Sequence, residues 1–386
     1  MITFDFTSGI AVLVYVCCFF FIVQLTYIFY IYSRIYRTQT KKEKSPSFPL
    51  PPLSVIIVTK DSGSALEENL PLILEQDYPQ YEVIVINDES AGEDEDILKR
   101  LSLRYPHLYY TFIPGTARHV SRKKLGLAIG IRASHYEWIV TTSPYCYPVS
   151  PNWLKELAKG MTPDTSIVLG YSNYTLKRGW FSHRIVVDSF LRSLRYLGMA
   201  LAGHPYMGVG HNMAYRKSLY QNHKGFADHL QLQRGEDDLF INAVANRQNT
   251  RVIVSTESIV RTPTPPYKRI WFEEKMNAMV TMHYYRGTAK YFNSLETLSC
   301  ACFHLFTAMT LYMSISGQQW IACSITALLW LTRFAIEMHV FHHNACALQE
   351  SHLQGMFVVF DILRPFWSLT RHIQYLFLHK EDFYRK

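Results

Sequence analysis

The most chemically suggestive stretch of the chain is GEDDLF, in which Glu236, Asp237 and Asp238 follow one another without interruption. Three adjacent carboxyl groups cannot all be ionised cheaply if they are buried, so we expect a raised pKa for at least one of them. Carboxyl groups tuned in this way exchange protons in active sites. The alternative is that these acids only cap a helix, which the pattern predicts from Leu239 to Arg247.

Other polar residues stand where predicted strands end. Asp61 follows the strand LSVIIVTK, and Asp88 ends the strand EVIVIND. Ser143 and Tyr145 follow a third strand, in the loop IVTTSPYCYP, which contains no carboxylate. Strand ends of this kind carry ligand-binding groups in α/β folds. For Asp88 the plainer alternative is a turn in which its side chain caps the next helix.

These residues are embedded in alternating strand-like and helix-like segments. The strands are predicted at 53–60, 82–88, 109–113 and 137–141, and the helices at 65–74, 97–104 and 123–133. Short links between them predict an α/β fold, a doubly wound and mostly parallel Rossmann-like sheet with right-handed crossovers. Because no glycine-rich loop follows the first strand, neither a P-loop nor a dinucleotide site is expected.

The N-terminal segment predicts membrane attachment. No charged residue occurs from Phe6 to Ser33, which is long enough for a helix that spans the bilayer. The run is too long for a signal peptide and lacks a basic start and a small-residue cleavage site. Basic residues follow from Arg34 to Lys44, and by the positive-inside rule this flank lies in the cytoplasm.

Two more apolar stretches, 294–316 and 320–341, are separated by a short polar link and predict a transmembrane helical hairpin. They contain Arg333 and Glu337, one helical turn apart, which we expect to pair, either in helix packing or along a substrate path. The apolar segment from Gly355 to Leu378 is interrupted by charges and a proline, so we expect an interfacial helix there.

The chain is therefore predicted to be a multi-pass protein of the cell membrane with its α/β domain in the cytoplasm. The anchor, the basic and proline-rich linker, the α/β domain, the interfacial region, the hairpin and the tail are predicted at 1–34, 35–52, 53–265, 266–293, 294–341 and 342–386. The net charge of +8 is not accompanied by a nucleic-acid motif or by a basic block interleaved with aromatic residues. Membrane lipids, and not nucleic acid, are the expected partners.

Several segments of the α/β domain resemble the family 2 glycosyltransferases, which have the GT-A fold. SVIIVTKD, QDYPQYEVIVINDES and RKKLGLAIGIRAS resemble the opening of that family, and GVGHNMAYRKSLY and GEDDLFINAVA resemble its acceptor-side segments. The resemblance extends over residues 53–286, and the apolar flanks suit the membrane-bound branch of the family. It implies an enzyme, an inverting glycosyltransferase that moves a sugar from a nucleotide-sugar donor to a lipid-linked or polysaccharide acceptor.

The resemblance also shows what the loop after the fourth strand lacks. The family carries a DXD motif there, usually T-D-A-D-C-x-P, whose aspartates hold Mn²⁺ or Mg²⁺ against the nucleotide diphosphate. Here Thr142, Cys146 and Pro148 keep the frame, but Ser143 and Tyr145 stand at the aspartate positions. A hydroxyl and a phenol are poor replacements for carboxylates as ligands of hard cations. The usual metal-binding motif is missing, and the DXD is degenerate.

Two ways of holding the diphosphate remain open. Cationic side chains at Lys123 and its neighbours, with Lys275, would supply the positive charge in place of a metal. Alternatively, Mn²⁺ or Mg²⁺ would bind through Asp88, Asp237 or His211.

The resemblance implies roles for further residues. Glu236 and Asp237 match an E-D pair whose aspartate is the general base. Asp88, and with it Asp61, matches the nucleoside pocket. Lys123 matches a lysine near the diphosphate, although a run of cations at the start of a helix is often only a solvated face.

The acceptor side is matched less closely. Asn212, in GHNMAY, falls in a segment that the resemblance assigns to substrate binding. Trp271 and Lys275 lie in PPYKRIWFEEKMNAM, an imperfect copy of the Q-x-x-R-W motif that helps to hold the diphosphate. Plain contact of this helix with the membrane surface is the alternative.

A second hypothesis is a catalytically impaired relative that serves as a scaffold or nucleotide sensor beside other polysaccharide-assembly proteins. The degenerate DXD motif and the imperfect Q-x-x-R-W motif favour it, whereas the intact GEDD cluster favours the enzyme. A membrane transporter is the least supported class, because about three spans leave little room for a transport path.

Overall fold

The computed structural model describes residues 9–40, 49–88, 92–115, 120–265 and 267–377. The chain divides into two compact units. A helical unit combines the N-terminal segment up to Arg37 with residues 287–377, and an α/β unit comprises residues 38–286.

The strands lie in the α/β unit and are rich in buried β-branched residues. They are β1 (Leu53–Thr59), β2 (Tyr81–Asn87), β3 (Leu108–Phe112), β4 (Trp138–Thr142), β5 (Tyr147–Pro148), β6 (Ile167–Gly170), β7 (Ser172–Thr175), β8 (Met213–Arg216), β9 (Thr250–Ile253) and β10 (Val260–Pro263). Seven of these strands form a sheet in the order β3-β2-β1-β4-β8-β6-β9, and three form a small sheet in the order β5-β10-β7.

The large sheet is mainly parallel. Strand β1 pairs in parallel with β2 and β4, β2 with β3, and β6 with β9, whereas β8 runs antiparallel to both of its neighbours. Each of the four strands predicted from the sequence is present to within one residue at either end. The predicted α/β fold with a mostly parallel sheet is therefore confirmed.

The helices cover the sheet and make up the whole of the helical unit. They are α1 (Gly9–Tyr27), α2 (Arg34–Thr40), α3 (Gly63–Leu74), α4 (Glu93–Arg104), α5 (Arg122–Ala133), α6 (Trp153–Ala158), α7 (Trp180–Leu201), α8 (Lys217–Asn222), α9 (Asp238–Val244), α10 (Lys268–His283), α11 (Ala289–Ser316), α12 (Trp320–Ala347) and α13 (Phe357–Leu376). A π-helical turn, Ile28–Tyr32, joins α1 to α2. Short 3₁₀ turns lie at Ala227–His229, Thr256–Ser258 and Ser351–Met356.

Three helical segments are long and apolar enough to cross a membrane: Gly9–Gln39, Ala289–Ser316 and Trp320–Ala347. Within the helical unit, α1, α11 and α12 pack against one another, and α13 packs against α11 and α12. The predicted hairpin corresponds to α11 and α12, although α11 begins at Ala289 and α12 continues to Ala347. Helix α13 passes through Pro365 without interruption and exposes large apolar side chains such as Leu376, which is 79% exposed.

Ion pairs buried in the helical unit join three of its helices. On α12, Arg333 contacts both carboxylate oxygens of Asp361 on α13, at 2.7 and 3.2 Å. It also lies 2.9 Å from Glu337, so the predicted pairing of these two residues is confirmed. A second pair links α13 to α11, since Arg364 lies 2.5 Å from Glu296. Both pairs are almost fully buried, which makes them part of the packing of α13.

We expect Arg333→Met to destabilise the helical unit, because it leaves Asp361 and Glu337 buried without their shared cation. Removing one partner of a buried pair costs about 3–5 kcal/mol. Thermal unfolding of the detergent-solubilised protein measures the loss. The matched control is Arg286→Met, which breaks an exposed pair with Asp228 and should cost at most about 1 kcal/mol. Equal stability of the two variants would contradict the assignment of a structural role to this network.

Candidate active site

The carboxyl ends of β1 and β2 bring Asp88 into a cluster of cations. The backbone N–H of Asp88 donates to the carbonyl of Thr59 at 2.8 Å, which fixes the end of β2 beside the end of β1. The Asp88 carboxylate is buried and accepts a hydrogen bond from Nε of Arg122. Its second oxygen lies 3.7 Å from the ammonium of Lys60. Two cations, Arg122 and Lys60, therefore lie beside the Asp88 carboxylate.

Helix α5 supplies Arg122 because it lies very close to the sheet. A Cβ at Gly130 would come within 2.6 Å of Ile56 and Ile86, and one at Gly126 within 2.9 Å of Val58. Only glycine permits this approach. The start of α5, with Arg122 and Lys123, consequently reaches the edge at which β1 and β2 end.

Hydrogen bonds attach the segment before the GEDD cluster to the N-terminal end of α5. Lys124 is fully buried and donates from Nζ to the carbonyls of His229 and Leu232. Ser121 donates to the carbonyl of Gln233 at 2.9 Å. Burial lowers the pKa of Lys124 to about 8, although nearby acids, led by Glu236, oppose the shift. These bonds place the acids that follow beside Lys123.

Glu236 is an ionised carboxylate held by two cations. Its side chain is 4% exposed, and Oε1 lies 2.5 Å from Nζ of Lys123 and 3.9 Å from Nη1 of Arg234. Burial opposes ionisation, but Lys123 and then Arg234 outweigh it and hold the pKa of Glu236 at about 2. The other oxygen, Oε2, is buried and has no hydrogen-bond partner in the described part of the chain. Glu236 therefore anchors cations and is poorly suited to accept a proton.

Asp237 is half-buried and its carboxylate is fixed by backbone groups. Oδ2 accepts from the N–H of Gly210 at 2.8 Å, and Oδ1 accepts from the N–H of Asp238, also at 2.8 Å. The preceding Gly235 has φ +104°, a conformation that side chains rarely adopt, and this sharp turn presents Asp237 at the start of α9. Because each carboxylate oxygen accepts more than one hydrogen bond, capacity remains for a substrate hydroxyl.

Asp238 is the acid of the cluster with the raised pKa that the sequence predicts. It is buried and accepts hydrogen bonds from the hydroxyls of Thr281 at 2.5 Å and Tyr285 at 2.9 Å. Burial, and then the neighbouring Asp237, raise its pKa to about 7. Since Thr281 lies on α10 and Tyr285 just after it, Asp238 joins α9 to α10 and is not available to a substrate.

The loop at the degenerate DXD positions is tied to the loop after β1 by hydrogen bonds. The phenol oxygen of Tyr145 accepts from the hydroxyl of Ser62 at 3.0 Å, although the Tyr145 side chain is 45% exposed. Asn69 donates to the carbonyl of Pro144 at 3.0 Å. The buried carboxylate of Asp94 accepts from the backbone N–H of Ser62. It therefore fixes the residue whose hydroxyl contacts Tyr145.

The residues of this site do not fit a divalent cation. At Asp88 and at Glu236, a metal would have to displace two positive groups. At His211, burial and then Lys123, Arg192 and Arg234 lower the pKa to about 3, so positive charge is disfavoured there despite the opposing effect of Glu236. Asp237 alone is too few ligands, because hard cations need several oxygens.

A group of potential metal ligands does occur in the helical unit. Among the described residues, the only three ligands of His, Cys, Asp or Glu type that converge are those of Cys300, His304 and Asp361. There the guanidinium of Arg333 already binds Asp361. In the α/β unit the described residues contain no such convergent group.

The remaining residues predicted for the site are placed as follows. Asn212 is buried and bonded within the fold, accepting from Trp153 Nε1 and donating to two backbone carbonyls. Trp271 is also buried. Lys275 forms an ion pair with Asp188 of α7. Asp61 is exposed and has φ +46° at the turn after β1.

Two functional candidates were not found from the sequence. Arg234 becomes evident only when the structure places it beside Glu236. Its position immediately before GEDD was the available signal. Asp94 stood in an acidic run that looked like a solvated helix start, yet it is buried and shapes the turn after β1.

The mainly parallel sheet, with polar residues where its strands end, has the architecture of the GT-A fold. The sequence pattern of glycosyl transferase family 21 matches residues 17–376, and the chain belongs to this family. It is thus a glycosyltransferase, consistent with the family 2 type expected from the sequence motifs.

One solved structure supports the fold, and a second is similar to it more distantly. The mannosyltransferase PcManGT from Pyrobaculum calidifontis, solved in complex with GDP-Man and Mn²⁺, is 17% identical and matches 91% of this chain and 99% of its own length, with a TM-score of 0.56. Residues 1–349 of S. aureus TarS are 16% identical and match 79% of this chain and 90% of that one, with a TM-score of 0.44.

We expect the stability of the α/β unit to depend on the protonation of Asp238. Its pKa is raised from 3.8 to about 7 in the folded protein. The protonated form therefore stabilises the fold fully below pH 4, and this contribution is lost as the pH rises through 7. Asp238→Asn, which cannot ionise, should gain several degrees in unfolding temperature relative to wild type between pH 5 and pH 7.5.

Thermal unfolding of both proteins at the two pH values tests this expectation, with the exposed Asp228→Asn as control. A difference between Asp238→Asn and wild type that does not change with pH would show that Asp238 stays ionised when buried.

Proposed function

We propose that the protein transfers a sugar, with inversion, from a nucleotide-sugar donor to a hydroxyl of a lipid-linked or polysaccharide acceptor at a membrane. The observation that carries this proposal is the geometry of Asp237, a half-buried carboxylate oriented by two backbone N–H groups beside a cluster of fixed cations. The GDP-Man bound to PcManGT is a donor of the proposed class.

Asp237 is the proposed general base. It would take the proton of the acceptor hydroxyl while that oxygen attacks the anomeric carbon of the donor sugar. The bond between this carbon and the diphosphate oxygen breaks, and the nucleoside diphosphate leaves with the electron pair. Glu236 would act by holding Lys123 and Arg234, because its own low pKa makes it a weak proton acceptor.

The nucleoside would bind at the ends of β1 and β2. Asp88, oriented by Arg122 and Lys60, is the proposed acceptor of a hydrogen bond from the base or ribose, with Asp61 at the adjoining turn. Trp271 and Lys275 on α10 are proposed to border the site. For Asn212 we propose a structural role, since its hydrogen bonds are all directed into the fold.

The proposed location is a membrane crossed by α1, α11 and α12, with the α/β unit in the cytoplasm. The length and apolar character of these helices support the spans, and Arg34 and Arg37 after the first span support the orientation. The exposed apolar side chains of α13 support a position at the membrane surface. On this proposal the domain boundaries follow the predicted ones, except that the interfacial region is represented by α10, which belongs to the α/β unit.

The second candidate function is that of a non-catalytic nucleotide sensor or scaffold. It is favoured by Ser143 and Tyr145, which replace the metal-binding carboxylates of related enzymes. The enzyme and the sensor both predict nucleotide binding, whereas a scaffold does not require it. Only the enzyme requires a base at Asp237.

We expect Asp237→Asn to lower the rate of sugar transfer by about 10²–10⁴-fold, because the amide cannot take the proton of the acceptor. The amide oxygen still accepts one of the two backbone hydrogen bonds, so nucleotide affinity should change little. Incorporation of label from radiolabelled nucleotide sugars into isolated membranes that contain the protein, whose lipids and polysaccharides are the candidate acceptors, measures the rate.

Asp228→Asn is the control, because Asp228 forms only an exposed ion pair and lies outside the site. Full activity in Asp237→Asn would exclude this residue as the base. An inactive wild type that still binds nucleotide would favour the sensor.

A further inference from the structure

Glu236 supports two cations that are open to solvent, although it is itself buried. Its side chain is 4% exposed, whereas those of Lys123 and Arg234 are 36% and 49% exposed. An ammonium has three N–H donors and a guanidinium five, so pairing with one carboxylate leaves donors for an anion. Glu236, Lys123 and Arg234 together carry a net positive charge. The acid is buried and the two cations are exposed, so the positive groups are the ones that a ligand can reach.

The surroundings of this group are also positive. The ring of His211 lies within the field of Lys123, Arg192 and Arg234, and these cations, after burial, lower its pKa. Helix α5 adds Arg122 at the same edge of the sheet. Nearby carboxylates do not reverse the balance. Asp88 is already matched by Arg122 and Lys60, and the charge of Asp237 is offset by the buried Lys124, with which it interacts. An anion with two or more charges fits here better than a divalent cation.

We propose that Lys123 and Arg234, held in place by Glu236, form the binding site for the donor diphosphate and replace the divalent cation. This inference rests on the proposed transfer from a nucleotide sugar. When the bond between the anomeric carbon and the diphosphate oxygen breaks, negative charge grows on that oxygen. Side-chain cations fixed before the reaction stabilise such charge, and charge-assisted hydrogen bonds to phosphate are stronger than neutral ones.

The proposal also assigns Glu236 a positioning role. Without its carboxylate, Lys123 would lose the contact that fixes its ammonium and would be free to extend into solvent. The degenerate DXD loop is consistent with this arrangement, because Tyr145 is hydrogen-bonded to Ser62 and its phenol is a poor ligand for a hard cation. The side chains of Lys123 and Arg234 then balance the negative charge of the diphosphate, and no metal ion from solution is needed.

The test is calorimetric titration of the full chain in detergent with UDP, GDP, ADP and dTDP, first in EDTA and then with Mn²⁺. We expect at least one of these nucleotides to bind in EDTA, with a Kd that Mn²⁺ changes by less than about threefold. The corresponding monophosphate should bind at least about tenfold more weakly, and inorganic pyrophosphate should compete with the diphosphate. Loss of one charge-assisted contact corresponds to about tenfold or more in Kd.

The variants separate a binding role from a folding role. Arg234→Met removes an exposed cation and should weaken nucleotide binding about tenfold or more. Lys123→Met is made together with Glu236→Gln, so that no unpaired carboxylate is left buried, and the pair should weaken binding similarly. Lys123→Arg keeps the charge and should retain most of the affinity. Lys155→Met is the matched control, since Lys155 is 34% exposed and pairs with Asp77 outside the site.

Nucleotide binding that requires Mn²⁺ would overturn this inference and leave the proposed sugar transfer intact. Unchanged affinity in both the Arg234→Met and the Lys123→Met/Glu236→Gln proteins would overturn it as well. If none of the four nucleotides binds under either condition, both the inference and the proposed function fail. If binding is normal but Asp237→Asn has full activity, only the proposed catalytic base fails.

Discussion

Several buried carboxylates in this protein lie beside fixed cations, because a charge taken out of water without a partner costs several kcal/mol. The buried Asp238 is different, since it accepts hydrogen bonds from two hydroxyls and has a raised pKa. In the helical unit, Asp361 depends on Arg333, and Glu296 on Arg364. In the α/β unit, Glu236 depends on Lys123. The first two pairs attach α13 to its neighbours, whereas the third leaves its cation partly open to solvent. The same requirement therefore produces packing in one unit and a candidate binding site in the other.

The position of α5 determines which carboxylates its cations contact in the α/β unit. Gly126 and Gly130 allow the helix to lie directly on β1 and β2, and the N-terminal end of the helix then reaches the polar edge of the sheet. Arg122 and Lys123 are successive residues, yet one pairs with Asp88 just after β2 and the other with Glu236 before α9. One short helix end thus joins the proposed nucleoside side of the site to the proposed catalytic side. The replacement of the DXD carboxylates is compatible with this arrangement because its positive charges belong to the chain.

Much of the fold follows from local sequence pattern. The first four strands are found within a residue of their predicted ends, because buried β-branched runs are a strong signal. Helix α7 was not predicted. Its charged residues recur at helical spacing along a face that includes Asp188, and that face is stabilised by contacts with α10, as in the ion pair with Lys275. Such contacts join segments far apart in the sequence, and periodicity alone does not reveal them.

The candidate site was predictable only where local sequence was enough to identify it. The GEDD cluster was recognised from its composition, and burial accounts for the raised pKa of one member. Which acid plays which role depended on neighbours that only the fold supplies: Lys123 for Glu236, Gly210 for Asp237, and Tyr285 for Asp238.

We propose that side-chain cations, and not a metal ion, hold the diphosphate. The most direct measurement is a crystal structure of the full chain with its bound nucleoside diphosphate, grown with Mn²⁺ and recorded at the manganese absorption edge. We expect phosphate oxygens within hydrogen-bond distance of Lys123 and Arg234, and no anomalous peak between the phosphates and the protein. An anomalous peak that bridges the phosphates to Asp88, Asp237 or His211 would contradict it.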